Sequence, residues 1–202
     1  MNTFRASRDY PQSALVIGLN IAEGSGDNLW AAGGLAEFFK SIKKPVYLRI
    51  GVEFDGAWNR GYEKKLSYIL AFRHFVDVLR DQGVKNVATV SQASASPLDD
   101  LNEGRHEDIG NWYPGDDYVD WIGMSWFLPA GQTVQDTPLQ RRLADEVLEF
   151  AGVRRKPVMI AESVPQGYDL EQMTKSSVSP LWDGKAGSRT LEKRHRRSGG
   201  MV

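Results

Sequence analysis

Apolar and polar positions divide this chain into five short apolar runs separated by longer amphipathic ones. Residues 14–21 (ALVIGLNI) form a nearly unbroken apolar run of strand length, the pattern of a strand buried on both faces. Residues 46–50 (VYLRI) follow Pro45, which can open a strand but not sit inside one. Residues 87–90 (VATV, continuing to Gln92), 118–125 (YVDWIGMS) and 156–162 (KPVMIAE) complete the set. Between them the apolar period changes to that of a helix. Leu35, Phe38, Phe39 and Ile42 recur at helical spacing behind a cap at Asp27 or Asn28. Leu66, Ile69, Leu70, Val76 and Leu79 mark the apolar face of a helix over residues 64–80 that Gly83 ends. Leu139, Leu143 and Val147 stay in register behind Thr137 or Pro138. Strand and helix alternate throughout, which predicts an α/β fold with a parallel sheet and right-handed crossovers.

The stretch 45–62 carries the first candidate chemistry. Arg49 and Glu53 interrupt an apolar run, which then breaks into Asp55-Gly56, Trp58 and Gly61. A carboxylate where a buried strand becomes a loop is costly unless it is hydrogen-bonded or used. In a (β/α)8 barrel the chemistry sits at this C-terminal end of the strands. Two readings stand at this point: a catalytic Glu53, or a strand-end glutamate paired with Arg49. The fifth run ends in a carboxylate too, Glu162. Strand ends far apart in sequence meet at one mouth of a barrel, and two carboxyls ~5 Å apart there form the machinery of a retaining glycosidase. Trp58, Trp126 and Trp112 would stack on sugar faces at the same mouth.

Composition narrows the alternatives. The 202 residues are 41% hydrophobic and 25% charged with a formal net charge of -1, so a single ordinary globular domain is expected, with no overall basic field for nucleic acid. The absence of cysteine removes disulfides, thiolate metal sites and a cysteine nucleophile. His74, His106 and His195 lie far apart and show no metal spacing. The opening residues carry no apolar signal-peptide core, and no window approaches a membrane span. No Gly-rich phosphate loop is present. Residues 189–197 (RTLEKRHRR) form a basic run, read as a solvated tail rather than a nucleic-acid patch.

Taken together, these motifs resemble the clan A glycoside hydrolases, and within them the family 26 β-mannanase group. In that family an Arg lies four residues before the acid/base Glu, as Arg49 does before Glu53. Gly56 and Trp58 match the positions three and five residues after it. Residues 112–123 (WYPGDDYVDWIG) are similar to the approach to the sixth strand, and residues 156–162 to the seventh, with Glu162 at the nucleophile position. The family departs from this chain at three places: Val52 stands where His is usual, Asp55 where Asn is usual, and Phe127 where a Tyr would hydrogen-bond the nucleophile. The resemblance implies an incomplete barrel over residues 1–175, strands three to seven of eight, followed by an irregular basic tail over 176–202. It implies a retaining hydrolase of a β-linked polysaccharide, mannan-like or related, needing no cofactor or metal. It also implies a parent enzyme of the commonly secreted kind. Glu53 and Glu162 would be catalytic, and Arg49, Trp58, Asn59, Tyr62, Gln92, Trp126 and Phe127 would bind substrate. Gln92 reads equally as a satisfied amide. Asp120 is expected to serve a structural hydrogen bond. The competing function is an inactive barrel fragment that at most binds carbohydrate.

Overall fold

The computed structural model describes residues 12–21, 32–56, 58–59, 62, 64–94, 108–127 and 138–163. The expected caps at Asp27 and Asn28, Thr137, Trp30, Trp182 and the basic run lie outside them. Five strands form one sheet: β1 Leu15–Leu19, β2 Val46–Ile50, β3 Val87–Ala93, β4 Trp121–Ser125 and β5 Val158–Glu162. Among the described residues three α-helices run between them, α1 Ala32–Ser41, α2 Lys65–Asp81 and α3 Pro138–Val153, the last with its proline at the first helical position. All neighbours pair in parallel and the spatial order is β1-β2-β3-β4-β5. A doubly wound sheet reverses its order at a switch point. A strictly sequential parallel order is instead an arc of a (β/α)8 barrel. The fold is therefore an incomplete barrel, as the strand and helix alternation implies.

Register assigns each side chain to a face. Paired residues of a parallel sheet point the same way, and neighbours along a strand point oppositely. Val46, Leu48 and Ile50 face outward, where α1 and α2 pack, and are 1%, 1% and 0% exposed. Tyr47 and Arg49 face inward together with Ala88, Val90, Gln92, Trp121 and Gly123 through the registers Tyr47↔Ala88, Arg49↔Val90, Val90↔Trp121 and Gln92↔Gly123. Between Met124 and Ser125 the register shifts, so Ser125 pairs with Glu162 rather than with Ala161. A one-residue slip moves a side chain to the other face. That slip is what brings Glu162 onto the inner face.

Two expectations need correction. The core face of α2 is Tyr68, Phe72, Phe75, Val76 and Leu79, at helical spacing, whereas Leu66 and Leu70 are 69% and 55% exposed. The aromatic residues fill more of the space against the sheet than the leucines do, and they determine which face turns inward. Tyr118 belongs to a turn and β4 begins only at Trp121. Its first predicted residues are instead anchored by Asp120, whose Oδ2 accepts from the Thr89 N–H at 2.8 Å and from Thr89 Oγ1 at 3.1 Å. The structural role expected of Asp120 fits those bonds.

The ends of the helices are held by side chains and turns. Helix α2 closes in a Schellman arrangement: the Val84 N–H donates to Leu79 O at 2.9 Å, the Gly83 N–H to Arg80 O at 2.9 Å, and Gly83 has φ +73. The carbonyls at and just past the end of α1 are gathered by one amide. Asn86 Nδ2 donates to Phe39 O and to Lys44 O, each at 2.9 Å, and also to Ile42 O.

Candidate active site

The chain leaves β2 through two residues in the left-handed region, Gly51 at φ +69 and Glu53 at φ +52. For a glutamate that conformation costs about 1 kcal/mol or more and persists only where surrounding bonds impose it. Here they do. Asn59 Nδ2 donates to Glu53 O at 2.7 Å and to Val52 O at 3.2 Å, and the Phe54 N–H donates to Gln92 O at 3.3 Å. The Ser94 N–H donates to Asp55 Oδ1 at 2.6 Å, pinning the loop to the end of β3.

The Glu53 carboxylate receives two donors. Ser125 Oγ donates to Oε1 at 2.6 Å and Trp58 Nε1 donates to Oε2 at 3.1 Å. The indole folds back this far because residue 56 is glycine: a Cβ there would lie 2.5 Å from Trp58 Cε2. Trp58 stays 53% exposed, so its ring covers the carboxylate from the solvent side. Glu162 is held from below by Arg49, whose Nη1 donates to Oε1 in a short ion pair and also to Gln92 Oε1 at 3.0 Å. Gln92 Nε2 in turn donates to Ser125 Oγ at 3.0 Å. The two glutamates are thus the ends of one chain, Glu162–Arg49–Gln92–Ser125–Glu53, with a contribution from each of β2, β3, β4 and β5.

Arg49 pairs with Glu162 and not with Glu53, so the alternative of a simple Arg49–Glu53 pair does not describe the site. Phe127 has no hydroxyl to offer a carboxylate, and the side-chain bond to Glu162 comes from the Arg49 guanidinium. Phe127 is partly buried, and its carbonyl accepts from Gln140 Nε2. Trp126 is 6% exposed and its backbone N–H donates to Glu162 O at 2.8 Å.

Other expected binding residues are spent within the protein. Gln92 is 0% exposed with both ends of its amide used, the satisfied reading of that residue. Asn59 fastens the Glu53 loop. Tyr62 is buried, and its hydroxyl donates to Asn20 Oδ1 at 2.8 Å and accepts from the Ile21 N–H at 3.1 Å. Trp112 is a core residue rather than a sugar platform: it stacks on Phe54 with centroids 5.9 Å apart and donates from Nε1 to Tyr62 O at 2.8 Å.

Two further polar positions beside Glu53 lie outside the set that the strand ends and motifs single out. Ser125 is a small hydroxyl at a strand end, and applying the strand-end rule to β4 as to β2 and β5 would have singled it out. Asp55 is partly buried, and burial raises its pKa from 3.8 to about 6, with the Glu53 charge adding to the rise and the Ser94 bonds opposing it. Among the described residues no cluster of His, Asp and Glu could hold a metal ion.

The sequential parallel arc is that of an incomplete (β/α)8 barrel, and the chain resembles the clan A glycoside hydrolases. Its relatives bear glycosidase names. It is 33% identical over 186 residues to the β-1,3-xylanase TXYA of a Vibrio species and 33% identical over 186 residues to a β-1,3-xylanase of an Alcaligenes species. Each alignment takes in 87% of this chain and 36% of the relative, so the chain spans about a third of the length of these curated relatives. Among solved structures, a family 26 β-mannanase from Bacteroides ovatus superposes with a TM-score of 0.52 at 24% identity, over 69% of this chain and 42% of that one. That likeness establishes the barrel fold. No protein-family model matches the chain.

Proposed function

We propose that this chain carries the catalytic half of a retaining glycoside hydrolase acting on a β-linked polysaccharide. The observation that carries the reading is the single hydrogen-bonded chain joining Glu53 and Glu162 across four consecutive strand ends. Glu53 is the acid/base: it protonates the departing glycosidic oxygen and then takes a proton from the attacking water. Glu162 is the nucleophile. Arg49 occupies its Oε1, and among the described residues Oε2 remains for attack on the anomeric carbon. Trp58, exposed above Glu53, offers a face for a sugar ring. The names of the two bacterial relatives make β-1,3-linked xylan the first substrate to try, with β-mannan second.

Glu162→Gln tests the assignment cleanly, because the amide oxygen still accepts from Arg49 but cannot attack. Turnover of an aryl β-xyloside should vanish, and retention of the wild-type rate would refute the nucleophile. One observation favours the second reading, an inactive carbohydrate binder. The inner-face residue Val16, on β1, is 51% exposed, and among the described residues no strand pairs with the far side of β1. That reading predicts oligosaccharide binding by titration with no hydrolysis.

A further inference from the structure

We infer that Ser125 is a positioning residue for Glu53, and that Arg49 dictates the direction in which its hydroxyl points. The inference rests on the acid/base reading of Glu53 above. Its logic is one of donors and acceptors. A guanidinium only donates, so the Gln92 atom facing Arg49 at 3.0 Å is the oxygen. The choice between the two amide orientations is thereby settled by a neighbour that has no acceptor to offer. Gln92 must then turn its NH2 toward Ser125, where Nε2 lies 3.0 Å from Oγ. The serine oxygen accepts that bond, and its one proton is left for Glu53 Oε1 at 2.6 Å. Gln92 and Ser125 are both 0% exposed, so water does not scramble the order. Space for the crossing side chain comes from Gly123, the register partner of Gln92, where a Cβ would sit 3.1 Å from Gln92 Cβ and 2.8 Å from Val90 Cγ1.

The consequence concerns which oxygen of Glu53 does the chemistry. Both oxygens accept a hydrogen bond, but Oε1 faces the fully buried Ser125 hydroxyl at 2.6 Å whereas Oε2 takes a longer bond, 3.1 Å, from the half-exposed Trp58 indole, so the proton that Glu53 gives and takes travels on Oε2, the oxygen on the solvent side. In the first step the Oε2 proton passes to the glycosidic oxygen as the C–O bond to the leaving group breaks and Glu162 bonds to the anomeric carbon. In the second, Oε2 takes a proton from water as that water's oxygen displaces Glu162. The Ser125 proton stays in place in both. A sugar ring laid on Trp58 is thus presented to the oxygen that carries the proton.

Kinetics on two substrates separates positioning from mere packing. With Ser125→Ala, kcat on a polysaccharide or alkyl glycoside should fall ~10-fold or more, within what general acid catalysis contributes. On a 2,4-dinitrophenyl glycoside, whose leaving group needs no proton, the rate of glycosyl-enzyme formation should change little. Ser125→Thr should restore the slow substrate. Equal losses on both substrates, or no loss on either, would overturn the role. If the wild-type chain cleaves no glycoside the hydrolase reading fails first, and neutron diffraction of the wild-type protein still decides the direction. Deuterium on Ser125 Oγ directed at Glu53 Oε1 supports the inference, and deuterium directed at Gln92 contradicts it.

Discussion

The two faces of the same five strands obey different rules. On the outer face Val46, Leu48, Ile50 and Met124 meet Phe39, Phe72 and Phe75, all almost wholly buried. Each contact there is apolar, non-directional and shared among many neighbours. On the inner face, one residue further along the same strands, Arg49, Gln92, Ser125 and Glu162 form a chain in which each bonded atom has one permitted role. The outer face tolerates substitution in proportion to volume. The inner face tolerates it only where donor and acceptor are kept. Strand alternation lets a single short segment such as VYLRI serve both at once.

That contrast can be broken on purpose. The largest effect should come from Glu162→Gln: turnover lost, with the melting temperature close to wild type because the Arg49 contact survives. Phe72→Ala should do the reverse, costing about 3–5 kcal/mol in denaturant unfolding while kcat per folded molecule is unchanged. A loss of kcat at full folding would blur the division between the faces. Asn86→Ala strips the carbonyls at the end of α1 of their shared donor and should cost about 1–3 kcal/mol by the same unfolding assay, again without a kinetic signature.

A further effect, read as a difference between two pH values, is a pH dependence at the inner mouth. Asp55 releases its proton near 3.8 when unfolded and at about 6 when folded. Between those values the folded state binds more protons, so this group withdraws stability as pH rises through that window, and the loss is complete above about 6. Asp55→Asn keeps an acceptor for the Ser94 amide and cannot ionise. Its melting temperature should match wild type at pH 3.5 and exceed it at pH 7, and an equal offset at both would contradict the buried carboxyl as the source.

Much of the outer architecture was legible in the sequence. Strands buried on both faces must be apolar throughout, and VYLRI or VMIAE leave little else to be read. Helix faces were less so: Leu66 and Leu70 satisfy a helical period as well as Phe72 and Phe75 do, and only packing against the sheet decides between them. Glu53, Glu162 and Arg49 announced themselves as charges in apolar runs. Ser125 did not, because a serine in a strand carries no cost that demands a reason. The pairing of Arg49 with Glu162 depends on the register slip at Ser125, a tertiary detail with no signature in the spacing. Trp112 was misread for a similar cause: an aromatic near a loop is a sugar platform or a core residue according to which way the backbone turns.

The measurement that bears most directly on the central claim is the anomeric configuration of the first product, followed by proton NMR as the chain hydrolyses β-1,3-xylan or an aryl β-xyloside. Two glutamates acting as nucleophile and acid/base release the β-anomer first, with the α-anomer growing in only by mutarotation. Initial release of the α-anomer would contradict the double-displacement account, and binding without any product would leave the arc as a carbohydrate-binding scaffold.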